Sequence, residues 1–321
     1  MRNSSFEFPP DDTITLSVIT TEGVPMRFSL YIKKFSMLAA LSVALSACST
    51  ESPAEELQAS GTFEALTYNV AGLPQGISDS NPEEFMPKIS PLLNTYDLVL
   101  VQEDFVYHRD LKRDATHPYQ STPKDPDDRL IADGLNRFSH FTFDTLKRQQ
   151  WTECYGAMDG GTITGAADCL AEKGFSMART TFAPGIVVDI YNHHAEAGGG
   201  EDDAQARATG YAEFTQFIQA NSAGNAVIIG GDTNLHRNDP VDGPLLEGFQ
   251  STNELTDACQ FLECGTESID RFLFRNSDTV ELTPLTWRYA DEFVTSEGDR
   301  LSDHYAVHVG FRWDRLATSA D

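Results

Sequence analysis

The sequence predicts a domain of the α/β class (α+β), and two features carry that expectation. Short runs rich in β-branched and aromatic residues read as buried strands, Val227-Ile228-Ile229-Gly230-Gly231-Asp232 most clearly. Among them lies an amphipathic stretch that sets Ala204, Ala208, Tyr211, Phe214, Phe217 and Ile218 on one side of a helix opened by Glu201-Asp202-Asp203. A third feature points toward function. Several strand-like runs end on an amide, a carboxylate or an imidazole, and a rigid strand that stops there holds the polar group at the rim of its sheet.

The N-terminal region reads as an address. Residues 1–25 precede Met26 and are expected to be a mis-called extension. Residues 26–47 follow the plan of a secretory signal, in which Lys33 and Lys34 precede an apolar run, Met37 to Leu45, too short to span a bilayer. Leu45-Ser46-Ala47-Cys48 resembles the bacterial lipobox, which implies lipid on Cys48, a membrane anchor and an exported lipoprotein. Ser49 favours sorting to the outer membrane. Residues 48–61 are a flexible tether, and the folded domain is expected over 62–315.

Within that domain, Phe63 to Val70 alternates as a strand. Asn81-Pro82-Glu83-Glu84 opens a helix over 82–94 that Pro87 and Pro91 should shorten or kink. Asp97 to Glu103 is a continuous apolar strand ending in a carboxylate. Residues 107–128 form a long loop, and 131–138 a further strand. Residues 149–173 are Gly-rich and irregular, a loop of the length that usually serves a site. Phe175 to Thr181 and Gly185 to His194 form a hairpin. After the helix and the 227–234 strand, where Gly230 and Gly231 are expected to turn the chain, come strands at 268–274 and 305–311.

Composition sets limits. The chain has 321 residues, enough for one large or two ordinary domains, and 40% hydrophobic content excludes a disordered chain. A net charge of −26 argues against a broad basic face for nucleic acid, so no stable nucleic-acid partner is expected. With Cys48 set aside, Cys154, Cys169, Cys259 and Cys264 remain. An even number in an exported chain suggests disulfides. Three pairings are possible, and the local one, 154 with 169 and 259 with 264, is the most economical. The spacing does not suit zinc.

Asn69, Glu103, His194, Asp232, Asn234, Asp270, Asp303 and His304 all fall at strand ends or just beyond them. Singly, each would be a turn residue, a cap or a core histidine. Together they are what phosphoester cleavage needs: hard oxygen ligands for a divalent ion, and groups that move protons.

The ordered set Tyr68-Asn69-Val70, Val101-Gln102-Glu103, Tyr191-Asn192-His193-His194, Gly231-Asp232-Thr233-Asn234, Ser268-Ile269-Asp270-Arg271 and Ser302-Asp303-His304 resembles the endonuclease/exonuclease/phosphatase superfamily. Deoxyribonuclease-I-like nucleases and bacterial sphingomyelinases belong to that group. The resemblance implies one domain, a four-layer α/β/β/α sandwich of two mixed sheets flanked by helices. It also implies Mg2+ (or Mn2+ or Ca2+) on Glu103 with Asn69 close by and Asp303 as a second metal-side carboxylate. Asp232 and Asn234 would orient water or contact phosphate, Asp270 would hold His304, and His194 would stand opposite. His193 occupies a place where the family usually has Thr. Tyr191, Asn192 and Arg207 are expected to be structural or to line the substrate rim. His108, His117, His140, His236 and His308 are expected to be surface, loop or strand residues. The function so implied is a monomeric extracytoplasmic phosphodiesterase, leaning to a lipid headgroup such as that of sphingomyelin. A secreted endonuclease and an inactive binding lipoprotein are the alternatives.

Overall fold

The computed structural model describes residues 58–77, 80–156 and 168–317, together with the backbone of four strands outside those spans. The expectations placed on Lys33, Lys34, the 37–45 run and Cys48 lie outside the described residues. The chain divides into two compact units, 1–55 and 56–321. In the first, β1 (Thr13–Ile19) pairs antiparallel with β2 (Pro25–Tyr31).

The second unit begins with β3 (Ser60–Asn69), α1 (Pro82–Leu92), β4 (Leu98–Gln102), α2 (His108–Leu111), β5 (Tyr119–Gln120), β6 (Asn136–Ser139), β7 (Thr142–Phe143) and β8 (Lys147–Gln150). It continues through β9 (Met158–Asp159), β10 (Thr162–Ile163), β11 (Gly174–Ala183), β12 (Ile186–His194), α3 (Glu201–Asn221), β13 (Val227–Asp232) and α4 (Asp242–Thr252). Then follow β14 (Thr256–Asp257), α5 (Ala258–Phe261), β15 (Asp270–Arg275), β16 (Val280–Tyr289) and β17 (Val307–Arg315).

β9 and β10 pair with each other, and the remaining strands build two mixed sheets, in the orders β16-β17-β3-β4-β6-β5 and β14-β15-β13-β12-β11-β7, with β8 also on β11. Each sheet has a central parallel pair, β3 with β4 and β12 with β13, and antiparallel neighbours on both sides. A parallel pair needs a crossover, which α1 and α3 supply. The pairs end level: Asn69 opposite Gln102 in one sheet, His194 opposite Asp232 in the other.

Period-two alternation sorts the core into three interfaces. Phe63 and Ala65 of β3 join Ile186, Val188, Ile190 and Ile228 of the facing sheet in an inter-sheet cluster. Leu66, Tyr68 and Val70 face outward to Met86 and Ile89 of α1. Val227 and Ile229 face outward to Tyr211, Phe214 and Ile218 of α3. Three apolar interfaces make four layers, as the resemblance implies.

Several expectations need correcting. α1 continues through Pro87 and Pro91 but ends at Leu92, short of the expected span, with Met86 and Ile89 buried under the sheet. The Pro87 carbonyl, which Pro91 cannot serve, accepts from Arg113 Nη2 at 3.3 Å. The 131–138 strand shrinks to β6, with Ile131 making only an isolated bridge to Ala171. Neither α4 nor β16 is expected from the sequence. Pro244 and Gly248 blur the first, and a register shift at Pro284/Thr286 breaks the alternation of the second, an edge strand.

Gly230 and Gly231 do not turn the chain; both lie inside β13. A Cβ on Gly230 would meet Leu100 Cδ1 and Phe272 Cε1, each at 2.7 Å, so the bare backbone lets the sheets close together. Gly230→Val should therefore destabilise the domain by about 1–3 kcal/mol through overpacking, read as a lower urea midpoint. An unchanged midpoint would contradict this packing.

Candidate active site

The ends of the two parallel pairs meet across the sandwich. Asn69, buried at the end of β3, donates from Nδ2 to Glu103 Oε1 at 3.1 Å and to Asp232 Oδ2 at 3.2 Å. One amide thus bridges the carboxylate that follows β4 and the carboxylate that ends β13. Its Oδ1 accepts from the Ala71 amide at 3.1 Å, and its own carbonyl accepts from Ser302 Oγ at 2.7 Å. Glu103 and Asn234 hold left-handed backbones, with φ of 56° and 47°. Conformations that L-residues seldom adopt concentrate at functional sites.

The second sheet brings the histidines. His194 Nε2 lies 3.5 Å from Asp232 Oδ2 and 3.8 Å from Glu103 Oε1. His304 Nδ1 is bonded to Asp270 Oδ2 at 2.9 Å, which leaves its Nε2 3.7 Å from Asp232 Oδ2. Asn234 supports Asp232: its backbone N–H donates to Asp232 Oδ1 at 2.9 Å, and its Nδ2 donates to the Ala195 carbonyl at 3.0 Å. Asp303 is exposed at the edge, with Oδ1 accepting from Ser302 Oγ at 3.2 Å.

Electrostatics divide the two histidines. Burial, with Lys173 and His304 adding to it, holds His194 well below its usual range, so it is neutral. Burial alone would also lower His304, but the carboxylates of Asp270 and Asp232 outweigh it and raise the imidazole to about 10. Burial pushes the Asp232 carboxyl up to about 6 and also raises Glu103. His193 points the other way. It is buried against Phe214 and Tyr211, and burial lowers it to about 4. Strand alternation alone explains why one histidine enters the cleft and its neighbour the core.

Burial raises both carboxyls, Asp232 fully buried and Glu103 partly so, and a cation placed between them would favour their charged forms. Glu103 and Asp232, hard oxygen donors joined by one amide, fit a small divalent cation. Asp232, Asp270 and His304 also bring ligand atoms within 4.8 Å of one another, though Asp270 and His304 already bond to each other.

Lys173 was not expected. It is buried, its Nζ sits 2.5 Å from Asp168 Oδ1, and Asp168 and Glu103 raise it against the effect of burial. With Glu103 and Asp168 it lines a cavity of about 310 Å3 whose other walls include Leu73, Phe105, Ile131 and Leu170. The loop carrying Asp168 is pinned by the Cys154–Cys169 disulfide; Cys259–Cys264 is also formed. Nothing in the sequence marks a single lysine among irregular residues, although the disulfide spacing marked its loop.

The remaining candidates are structural. Asn192 is tied into a buried network with Gln102 Nε2 at 2.7 Å, Tyr191 is core, and Arg207 bonds the Gly198 carbonyl at 2.6 Å and Asp242 at 3.0 Å. His117, His140 and His308 bond to Tyr96 O, Asp97 and Glu64, and His108 to Asp104. His236 lines a pocket beside Asp270 and His304.

In metal-free protein the His304 ring should keep its proton through neutral pH and titrate near about 10 by NMR. Because this pKa is raised, the associated stability is complete below the unfolded value of about 6.5 and fades as pH rises toward the folded one. Asp270→Asn should bring the midpoint down. A parental midpoint near the ordinary value would contradict the pairing.

No family model matches the chain. The sphingomyelinases of Mycobacterium bovis and Mycobacterium tuberculosis are each 36% identical to it over 278 residues, spanning 79% of this chain and 53% of the relative. The chain thus spans about half the length of the curated relatives it matches. Among solved structures, beta toxin from Staphylococcus aureus aligns with a TM-score of 0.57 at 15% identity, covering 77% of this chain and 99% of that one. Sphingomyelinase C from Streptomyces griseocarneus aligns at 0.56 and 18%, covering 78% and 99%. D. rerio TDP2 complexed with a single-strand DNA product aligns at 0.57 and 15%, covering 78% and 99%. The paired mixed sheets, the ordered polar strand ends and this homology place the chain in the endonuclease/exonuclease/phosphatase superfamily.

Proposed function

We propose that the chain is a divalent-metal-dependent phosphodiesterase that cleaves a lipid headgroup of the sphingomyelin type. The observation that carries this reading is the Asn69 amide joining Glu103 and Asp232, with His194 and His304 Nε2 atoms 3.5 and 3.7 Å from the Asp232 carboxylate. Homology to sphingomyelinases supports the substrate class, and the charge of −26 weighs against a nuclease.

Glu103, with Asp232, would hold the ion, Mg2+ by preference, and the ion when bound neutralises charge on the phosphoryl oxygens. Asp232 accepts the proton of the attacking water as its oxygen bonds to phosphorus, and Asn234 keeps that carboxylate in place. His304, protonated and steadied by Asp270, faces the phosphate as a cation. It gives its Nε2 proton to the departing alcohol oxygen as the phosphorus–oxygen bond breaks. His194, neutral, donates a hydrogen bond from the opposite side. The lipobox-like Leu45-Ser46-Ala47-Cys48 supports an exported, membrane-tethered lipoprotein.

Purified residues 56–321 should hydrolyse bis(4-nitrophenyl) phosphate and sphingomyelin, with both activities abolished by EDTA and restored by Mg2+. His304→Ala should lower kcat by about 10²–10⁴-fold. DNA nicking without lipid cleavage would reverse the substrate assignment, and EDTA-insensitive or absent turnover would favour a binding lipoprotein.

A further inference from the structure

The two histidines of the site are held in different ways. His304 is fixed by a side chain, since its Nδ1 bonds Asp270 Oδ2 at 2.9 Å. His194 has no such support. Its ring is buried, yet among the described residues nothing bonds its Nδ1. Its Nε2 lies 3.5 and 3.8 Å from the carboxylates of Asp232 and Glu103, too far for a bond that fixes the ring. The aim of His194 therefore depends on how its main chain is held. On one side the sheet stops short, because the β11–β12 register ends at Phe175 opposite His193. The side chain of Trp151 takes the place of the missing strand. Its Nε1–H donates to the His194 carbonyl at 2.8 Å, and its backbone N–H donates to the Lys173 carbonyl at 3.0 Å.

The indole is itself locked. It is buried, with its ring 5.2 Å from that of Phe175 and 6.0 Å from that of Phe214 between centroids. A Cβ on Gly210, inside α3, would meet its Cδ2 at 3.2 Å, so the helix is bare where the indole lies against it. Three residues on, Cys154 is bonded to Cys169, and the Tyr155 N–H donates to Glu196 Oε1 at 2.5 Å, which grips the same segment just beyond His194. We propose that Trp151 is the positioning residue of His194, doing through the His194 carbonyl what Asp270 does through the His304 ring. The inference rests on the phosphodiesterase reading, in which His194 donates a hydrogen bond to the phosphate, and it names the group that aims that bond. A buried carbonyl that loses its donor is costly to leave unpaired. The chain shifts to satisfy it, and the ring moves with the chain.

The experiment compares the parent protein with Trp151→Phe and with protein in which 3-benzothienylalanine replaces Trp151. That analogue keeps the shape of the indole and exchanges only its N–H for sulfur. Both changes should lower kcat for bis(4-nitrophenyl) phosphate by about 10–100-fold, with little change in KM. Both should also move the His194 ring signals in NMR spectra while those of His304 stay in place. 5-Fluorotryptophan at the same position keeps the N–H and should retain most of the parental kcat. Parental kcat and His194 signals in the benzothienylalanine protein would overturn the proposal. So would a loss in which the His304 signals move equally, the mark of a general structural defect. If Trp151→Phe does not fold, the isosteric analogue alone decides. If the parent turns over no phosphodiester, the phosphodiesterase reading fails on its own. The His194 signals then decide the positioning role: movement in the benzothienylalanine protein supports it, and none overturns it.

Discussion

A single buried amide joins the two halves of this molecule where chemistry can occur. Asn69 ends a strand of one sheet and donates to Glu103 of the same sheet and Asp232 of the other. Both carboxylates are in a low-dielectric setting that disfavours their charge. Their closeness is imposed by the sheets, whose parallel pairs end level and whose separation is set by side chains as small as none at all, at Gly230. Without that packing the carboxylates would separate. Without the amide they would lose the donor bonded to both.

The electrostatic pattern follows from the same geometry. His304 has a carboxylate on each side and stays charged; His194, equally close to Asp232, is deeper and stays neutral. The two imidazoles therefore differ in charge at neutral pH, one cationic and the other neutral. The surface is acidic overall, with a net charge of −26, unlike the broad basic face of a nucleic-acid binder. The polar groups of the site are gathered between a largely apolar cavity on one flank and an aromatic pocket on the other.

Much of this was legible in the sequence because strand ends are legible. Buried runs such as Leu98–Gln102 and Val227–Asp232 announce where they stop, and the polar residue at the stop is the one held rigidly. The core was readable in part for the same reason, through alternation in β3 and through Tyr211, Phe214 and Ile218 of α3. Ala204 and Ala208, by contrast, are only half-buried, and the first turns of that helix bury Ala206 and Arg207 instead. Lys173 was not, because its position depends on a disulfide-pinned loop that carries no periodic signal. The aromatic row of Trp287, Tyr289 and Tyr305 was hidden too, since β16 bulges at Pro284/Thr286 and conceals its own alternation. The glycines of β13 misled in an instructive way: a residue chosen for lack of a side chain reads locally as a turn, whereas here the facing sheet requires it.

On the proposed reading, Glu103 and Asp232, held by Asn69, take up a divalent cation. Calorimetric titration of Mg2+ into metal-free protein tests it most directly, with Glu103→Gln measured alongside. Saturable binding in the parent that is lost or greatly weakened in the variant is the predicted result. Equal binding by both proteins, or none by the parent, would contradict the account.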